Sequence, residues 1–164
     1  MSNQETPDAP QREFMLQRIY VKDVSFEAPL APQVFTEAWQ PETQVGFGSE
    51  ATLLGNDLYE VILTVTATTK LGERTAYLAE VKQGGIFGIR GFPESELAPM
   101  LGAYCPNVLF PYVRELIARL VTDATFPPLL LQPVNFDLVF AQAAQQRALA
   151  EQSPIPPAGQ VPPR

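Results

Sequence analysis

The segment "LYEVILTVTATTKLGERTAYLAEVKQGGIFGI", residues 58–89, contains the clearest structural pattern of the chain. From Tyr59 to Ala67 every second residue is apolar or aromatic, and the positions between are mostly threonine or glutamate. This period of two is typical of a β-strand with one buried face. A short link with Gly72 then precedes a second strand-like run, residues 74–89. The spacing predicts an antiparallel hairpin.

Two further strands are predicted before this hairpin, over residues 14–29 and, more weakly, 43–54. The first is rich in β-branched and aromatic side chains, which favour a pleated and partly buried surface. Strict alternation places Ile19 and Val21 on the same side of this strand as Asp23. Neither side is then purely polar, so we expect both sides to be partly covered.

A helical pattern follows the hairpin, over residues 107–123. Apolar side chains recur at i, i+3, i+4 and i+7 and cover two adjacent faces of the helix. Because Pro111 lacks the amide that an α-helix uses, the helix either begins at this residue or is distorted there. A second helix is predicted over residues 136–150, where Asp137 supplies the negative charge that favours a helix N-terminus.

Strands first and helices last predict an α+β fold, in which the helices lie on one face of an antiparallel sheet. Since the sheet covers one apolar face of the first helix, the other apolar face is predicted to contact a second subunit. The alternative is a helix enclosed between its own sheet and a loop. The residues assigned to the oligomer interface are Leu109, Tyr112, Val113, Leu116 and Leu120.

The 164 residues are sufficient for one domain with an ordinary core, which we expect over residues 13–150. Residues 1–12 are polar and contain two prolines, so they are predicted to form a disordered arm. Residues 151–164 are predicted to form a disordered tail of extended, polyproline-like character, because five of the last twelve residues are proline.

Composition excludes several kinds of chemistry. A net charge of −7 without clustered Lys or Arg argues against binding to nucleic acid. With no histidine and only Cys105 as a thiol, the chain lacks the residues of a Ser-His-Asp triad, a Cys-His pair or a structural zinc site. We therefore expect no catalytic residue, no metal and no cofactor. We also expect a cytoplasmic protein, because no secretory signal and no apolar run near the roughly 20 residues of a membrane span is visible.

The glycine-rich segment "QGGIFGIRGF", residues 83–92, is not predicted to bind phosphate. A phosphate-binding loop needs a helix N-terminus directly behind it, and no Gly-Lys-Ser/Thr follows these glycines. The favoured interpretation is a strand with a bulge or with close backbone approach.

Two carboxylates, Asp23 and Glu27, are predicted to share one face of the first strand, and a third, Glu80, lies on a later strand. Paired carboxylates perform acid–base catalysis when burial raises the pKa of one of them. Nothing in the sequence indicates such burial, so a solvated acidic patch is the favoured interpretation. Such a patch attracts basic partners.

Large apolar side chains also occur in two proline-rich connections, residues 28–42 and 125–136. Outside regular structure, such side chains either close the core or line a groove for an extended apolar peptide. The pattern favours these two interpretations equally. The candidate groove residues are Phe35, Trp39, Phe47, Phe126, Leu130 and Phe136.

Five short blocks lie in order between residues 14 and 140: "RIYVKDVSFEAPLAP", "WQPE", "QGGIFGI", "LGAYCPNVLFPYVRE" and "PVNFD". Together they resemble the SecB family of bacterial protein-export chaperones. The resemblance implies a four-stranded antiparallel sheet with two C-terminal helices, assembled as a dimer of dimers. It further implies an ATP-independent chaperone that holds unfolded precursors of exported proteins and delivers them to the translocase ATPase SecA.

The resemblance also assigns surfaces to particular residues. It places residues 107–123 between dimers and matches Trp39 to a tryptophan that lines the peptide groove. The positions of an acidic, SecA-facing patch are matched by Asp23, Glu27, Leu78 and Glu80. The proline-rich tail departs from the family pattern, which puts its contact with SecA in doubt. The alternatives are a SecB-like holdase of stress or antitoxin systems, or an α+β oligomer that binds a small ligand; no direct membrane insertion is expected.

Overall fold

The computed structural model describes residues 11–152 and shows a four-stranded antiparallel sheet with helices on one face. The strands lie in the order β1-β4-β3-β2. Their bounds are Glu13–Glu27 for β1, Glu42–Gly55 for β2, Leu58–Leu71 for β3 and Arg74–Arg90 for β4. The α+β class and the antiparallel pairing predicted from the sequence are confirmed. Most of the predicted arm and tail, residues 1–10 and 153–164, lies outside the described residues.

The helical part of the chain is longer than predicted. The bounds are Glu94–Pro99 for α1, Met100–Tyr104 for a π-helical turn, Cys105–Asp123 for α2 and Phe136–Gln152 for α3. The sequence did not predict α1 or the π-helical turn. Pro111 lies inside α2, so the helix runs through this residue and does not begin there. Among the helices of residues 11–152, none is long and apolar enough to cross a membrane.

The core forms between one face of the sheet and α2. Val61, Leu63 and Val65 of β3 are fully buried, as are Leu109 and Val113 of α2. Each such side chain contributes about 1.5–3 kcal/mol through its removal from water. The opposite side of the sheet, which we call the outer face, carries Glu60, Ile62, Thr64, Thr66 and Thr68 of β3 and Leu78, Glu80 and Lys82 of β4.

Strand β1 contains two β-bulges. Its pairing with β4 shifts between Leu16 and Arg18 and again between Val21 and Asp23. Each shift adds one unpaired residue and reverses which side chains point inward. Val21 therefore lies on the helix-covered face while Asp23 lies on the outer face, and the strict alternation predicted from the sequence is wrong. The bulges also explain why neither alternating set of side chains is purely polar.

Two adjacent glycines in the middle of β4 permit close approach on opposite faces of the sheet. A Cβ at Gly85 would lie 2.9 Å from Leu109 Cδ2 and 2.6 Å from Phe87 Cε2. A Cβ at Gly84 would collide with the ring of Tyr20. Of the roles that the sequence left open for these glycines, the contacts at Gly84 and Gly85 agree with close approach, which here is made by side chains rather than by backbone.

The connection between β1 and β2 is attached to the domain at several points. It contains a 3₁₀ turn, Gln33–Thr36, in which Val34 is buried in the core. An ion pair between Arg74 and Glu37 joins the connection to the start of β4. These contacts hold the proline-rich segment against the sheet.

Helix α3 is anchored through its first two turns. The side-chain Oδ1 of Asn135 accepts a hydrogen bond from the Leu138 amide at 3.2 Å, which caps the helix. One turn further on, the ring of Phe140 packs directly on Gly102 in the π-helical turn. The second half of α3 is exposed on all sides.

Candidate functional surfaces

The outer face brings together the four residues that were predicted for an acidic patch, Asp23, Glu27, Leu78 and Glu80. Glu27 of β1 is the register partner of Leu78 of β4. Two residues earlier, Ser25 is the register partner of Glu80. Asp23 lies a further two residues along β1 on the same side. Because register partners share a face, these side chains form one continuous surface, which we call the acidic patch.

One carboxylate of the acidic patch is oriented by a hydrogen bond, and none of the three is part of a described ion pair. The hydroxyl of Thr66 donates a hydrogen bond to Glu80 Oε2 at 3.0 Å, which fixes that carboxylate across the β3–β4 pair. Four ion pairs occur among residues 11–152, and none of them includes Asp23, Glu27 or Glu80. Lys82, the register partner of Asp23, lies on the same face, so three carboxylates and one ammonium leave the patch with a net negative charge.

The neighbouring part of the outer face is electrically balanced. The Tyr20 hydroxyl donates to Glu60 across β4, and Lys22 Nζ lies 2.9 Å from Glu60 Oε1. Burial and the Glu60 carboxylate raise the pKa of Tyr20 to about 12. The hydrogen bonds from Tyr20 and then Lys22 lower the pKa of Glu60. Gly84 makes this contact possible, because a side chain there would block the Tyr20 ring.

A first aromatic cluster forms around Phe126, which is 4% exposed. Its ring centroid lies 5.0 Å from that of Phe35 and 5.5 Å from that of Trp39. Tyr77 and Phe26 pack on its other side. The structure thus joins three of the predicted groove residues in one place, the Phe126 cluster. Phe35 is the open part of this cluster, because 49% of it remains exposed.

A second aromatic cluster contains Phe47, Phe110 and Phe136 and is separate from the first. The ring centroids of Phe110 and Phe136 are 5.6 Å apart, and Phe47 lies 6.2 Å from Phe136. This Phe136 cluster borders a cavity of about 580 Å³ between β2 and α3, to which Phe47 and Phe136 contribute. Phe110 was not among the predicted groove residues, because its helical spacing is the same as that of a core residue.

Leu130, the remaining predicted groove residue, lies apart from both clusters. It is 59% exposed and borders a cavity of about 750 Å³ between α2 and residues 128–134. Arg114 Nε donates a 2.7 Å hydrogen bond to the Leu131 carbonyl and fixes this loop on the helix. The six candidate groove residues therefore occupy three sites rather than one.

The five residues predicted for an oligomer interface are divided between the core and the surface. Leu109 and Val113 are fully buried within the protomer, and Leu116 is 8% exposed. Tyr112 is 49% exposed, and Leu120 is half-buried. The accessible surface of α2 therefore includes Tyr112 and Leu120, together with the polar residues of its solvent side.

A partly accessible aromatic cluster on one side of the sheet and a surface with an excess of carboxylates on the other are features of a protein that binds other polypeptides. Comparison with known proteins gives the family. The model of the family described as "Preprotein translocase subunit SecB" matches residues 7–147. The Protein-export protein SecB of Methylococcus capsulatus (strain ATCC 33009 / NCIMB 11132 / Bath) is 54% identical over 142 residues, which cover 85% of this chain and 92% of that relative. The chain belongs to the SecB family of protein-export chaperones.

A solved structure confirms the fold. It is that of a SecB-like chaperone from Mycobacterium tuberculosis in complex with a ChAD peptide from the HigA1 antitoxin. The match has a TM-score of 0.63 and covers 74% of this chain and 90% of that chain. At 17% sequence identity, this similarity establishes a common architecture.

Proposed function

We propose that the protein holds unfolded precursors of exported proteins in the cytoplasm, without nucleotide, and delivers them to the translocase ATPase SecA. The observation that supports this proposal best is the register of β1 on β4. It assembles Asp23, Glu27, Leu78 and Glu80, the residues that match the SecA-facing positions of the family, into one surface. The aromatic clusters supply separate surfaces for clients.

The client sites are proposed to be the Phe126 and Phe136 clusters. Unfolded chains expose apolar side chains that folded proteins bury. Aromatic rings bind such side chains in many orientations. Phe35 and Trp39 give the first cluster an accessible rim, while the cavity beside Phe47 gives the second cluster depth. Each site alone is weak, but several sites on one assembly bind a long chain through avidity.

The assembly is proposed to be a dimer of dimers in which α2 contributes to a subunit contact. Tyr112 and Leu120 provide accessible apolar area on this helix. Charged residues beside them, Arg114, Glu115 and Arg119, give the contact a polar character. A symmetric assembly multiplies the client sites, which is what avidity requires.

The acidic patch is proposed to bind a basic surface of SecA. Its three carboxylates lie outside the ion pairs of residues 11–152 and outnumber Lys82, the register partner of Asp23, so a net attraction to a basic partner remains. Attraction between exposed charges is screened by salt over about 8–10 Å at physiological ionic strength. We therefore expect SecA to bind more weakly as the salt concentration rises.

A role with antitoxin clients is the second candidate function. The peptide named in the M. tuberculosis complex belongs to an antitoxin, but that protein is 17% identical to this chain. The relative named for protein export is 54% identical over nearly its full length. The export function is therefore the better supported of the two.

Two substitutions test the client and partner surfaces separately. Phe35→Ala should reduce the suppression of aggregation of an unfolded polypeptide in the absence of nucleotide, because it removes the most exposed ring of the Phe126 cluster. It should leave SecA binding unchanged. Glu80→Gln should have the opposite pattern and weaken SecA binding about fivefold, equivalent to ~1 kcal/mol for one exposed charge.

Leu54→Ala is the matched control for Phe35→Ala, because Leu54 is 53% exposed and lies outside both clusters. Light scattering of the purified protein tests the assembly in the same samples. A monomer that does not suppress aggregation would contradict the whole proposal. Equal loss of both activities in both variants would show that the two surfaces are not separate.

A further inference from the structure

The cavity of about 580 Å³ beside the Phe136 cluster extends along one face of α3. The helix contributes residues at helical spacing, which therefore share a face: Phe136, Val139, Phe140, Ala143 and Arg147. Strand β2 contributes residues 47–51, and the π-helical turn contributes Leu101 and Gly102. From Phe136 to Arg147 the helix rises roughly 16 Å, so the cavity is an elongated groove, which we call the α3 groove.

The wall of the α3 groove is largely apolar. Phe47, Val139 and Phe140 are only half-buried, so part of their apolar surface is accessible. Among the described residues that line the groove, Glu50 and Arg147 are the charged ones, and their charges are opposite. An extended apolar segment with few charges complements a groove of this kind.

The sequence that directly follows α3 has this composition. Helix α3 ends at Gln152, and the next twelve residues, "SPIPPAGQVPPR", contain Arg164 as their only charged side chain. A polyproline II segment is extended and has three residues per turn. At that period Ile155, Ala158 and Val161 fall on one side, and the five prolines fall on the other two sides. Segment 153–164 therefore has an aliphatic face at the period of a polyproline II helix.

The lengths of the segment and of the groove also agree. From Ile155 to Val161 a polyproline II helix rises roughly 19 Å, against roughly 16 Å for the groove along α3. Ile155 is three residues beyond the end of α3, so it can reach back up to about 9 Å, as far as the level of Arg147. Pro154 cannot continue the helix, which favours a change of chain direction there. Aromatic-lined grooves are a recurring binding site for polyproline II segments.

We propose that segment 153–164 lies in the α3 groove of its own chain, with Ile155, Ala158 and Val161 against the aromatic wall, and that it competes there with clients. The competition rests on the proposed function, because it takes the groove as a client site. Attachment to α3 gives the segment an effective concentration in the millimolar range at the groove. A contact with a dissociation constant of the same order fills the groove about half of the time. Client affinity for this site then falls about twofold, and a client that is bound at several sites displaces the segment.

A nitroxide label at position 160 tests whether the segment occupies the groove. Gln160→Cys places the label outside the aliphatic face, and Cys105 is fully buried, so the label attaches at position 160. In nuclear magnetic resonance spectra the label should broaden the amide signal of Ser49, which lines the groove on β2. It should not broaden the signal of Gly72, which lies roughly 30 Å along β3 from the groove residue Leu63.

Ile155→Asp with Val161→Asp should release the segment, because a carboxylate is costly against an apolar wall. The broadening at Ser49 should disappear, and the affinity for a fluorescent unfolded polypeptide should rise about twofold. Ser153→Asp with Gly159→Asp is the matched control, because it adds the same charge to the same segment outside the aliphatic face. It should keep both the broadening and the client affinity of the wild type.

The outcomes separate the possible occupants of the groove. Absence of broadening at Ser49 would overturn the inference. Broadening only in mixed assemblies, with the label and the isotope on different chains, would assign the groove to the segment of a second copy and would also overturn it. Equal client affinity of the aspartate variant and its control would overturn the competition. A protein that binds no client, but in which the label still broadens Ser49, would remove the proposed function and leave the docking in place.

Discussion

The two faces of the sheet are made by the same strands, but one face carries buried apolar side chains and the other carries mainly polar side chains that are partly exposed. On the face that α2 covers, residues such as Val61, Leu63 and Val65 are fully buried and their contribution comes from packing. On the outer face, Thr64 and Glu80 are half-exposed and their contribution comes from charge and shape. Consecutive residues of one strand therefore alternate between the core and the surface that is proposed for recognition. A substitution should affect one property or the other according to the face on which it falls.

The largest difference between the faces should appear when the same leucine truncation is made on each. Leu63→Ala removes a fully buried side chain and should lower the free energy of unfolding by about 3 kcal/mol. Leu78→Ala on the outer face should cost less than about 1 kcal/mol, because Leu78 is only half-buried. Urea denaturation measures both values. Equal losses would show that the outer face is covered in the assembled protein.

A smaller difference is expected from adding one methyl group at the adjacent glycines of β4. Gly85→Ala places a Cβ against Leu109 and Phe87, which are fixed in the core, so we expect a loss of about 2 kcal/mol. Gly84→Ala meets the far end of the Tyr20 side chain, which can swing into solvent. Its cost should be about 1 kcal/mol, the value of the hydrogen bond to Glu60 that is given up. Thermal unfolding of both variants shows which one loses more stability. A larger loss for Gly84→Ala than for Gly85→Ala would contradict the assignment of the two glycines to opposite faces.

The smallest expected effect is a change in alkaline titration on the outer face. The pKa of Tyr20 is raised from 10.0 to about 12, so the protonated hydroxyl is favoured in the folded state. Its contribution to stability is fully present below pH 10 and is lost as the pH rises through about 12. Absorbance at the tyrosinate band should show that Tyr20→Phe removes one late-titrating group from the five tyrosines. An unchanged late component would show that Tyr20 is not held by Glu60.

The sequence predicts well those elements that are buried on one side only, because their apolar residues then recur at a regular spacing. Strand β3 alternates cleanly because one face is core and the other is not. The bulges of β1 have no such signal, since the extra residues Gln17 and Lys22 are polar and resemble ordinary outward-facing positions. Helix α1 is also hidden, because Pro93 and Pro99 bound a segment of only six residues. Its helical state depends on tertiary packing rather than on propensity.

The functional surfaces are predictable in residue type but not in grouping. Aromatic residues in proline-rich connections could be identified as surface candidates, but the contacts of Phe35 and Trp39 with Phe126 join parts of the chain that only the fold brings together. The acidic patch was assigned through family resemblance, because spacing alone does not reveal that Glu27 faces Leu78. For α2, periodicity shows two apolar faces. Which of them meets the sheet is decided by packing at positions such as Gly85.

The π-helical turn Met100–Tyr104 makes the number of residues in this part of the chain as important as their chemistry. A π turn spans one residue more than an α turn between its hydrogen-bonded groups. Because the π turn already accommodates this extra residue, one further inserted residue would rotate α1 by about 100° relative to α2, the angle per residue of an α-helix. Glu96 would then turn away from Arg12, whose guanidinium lies 2.9 Å from it and holds the first described residues of the chain on the domain. Insertions in this turn should therefore be tolerated far less than substitutions.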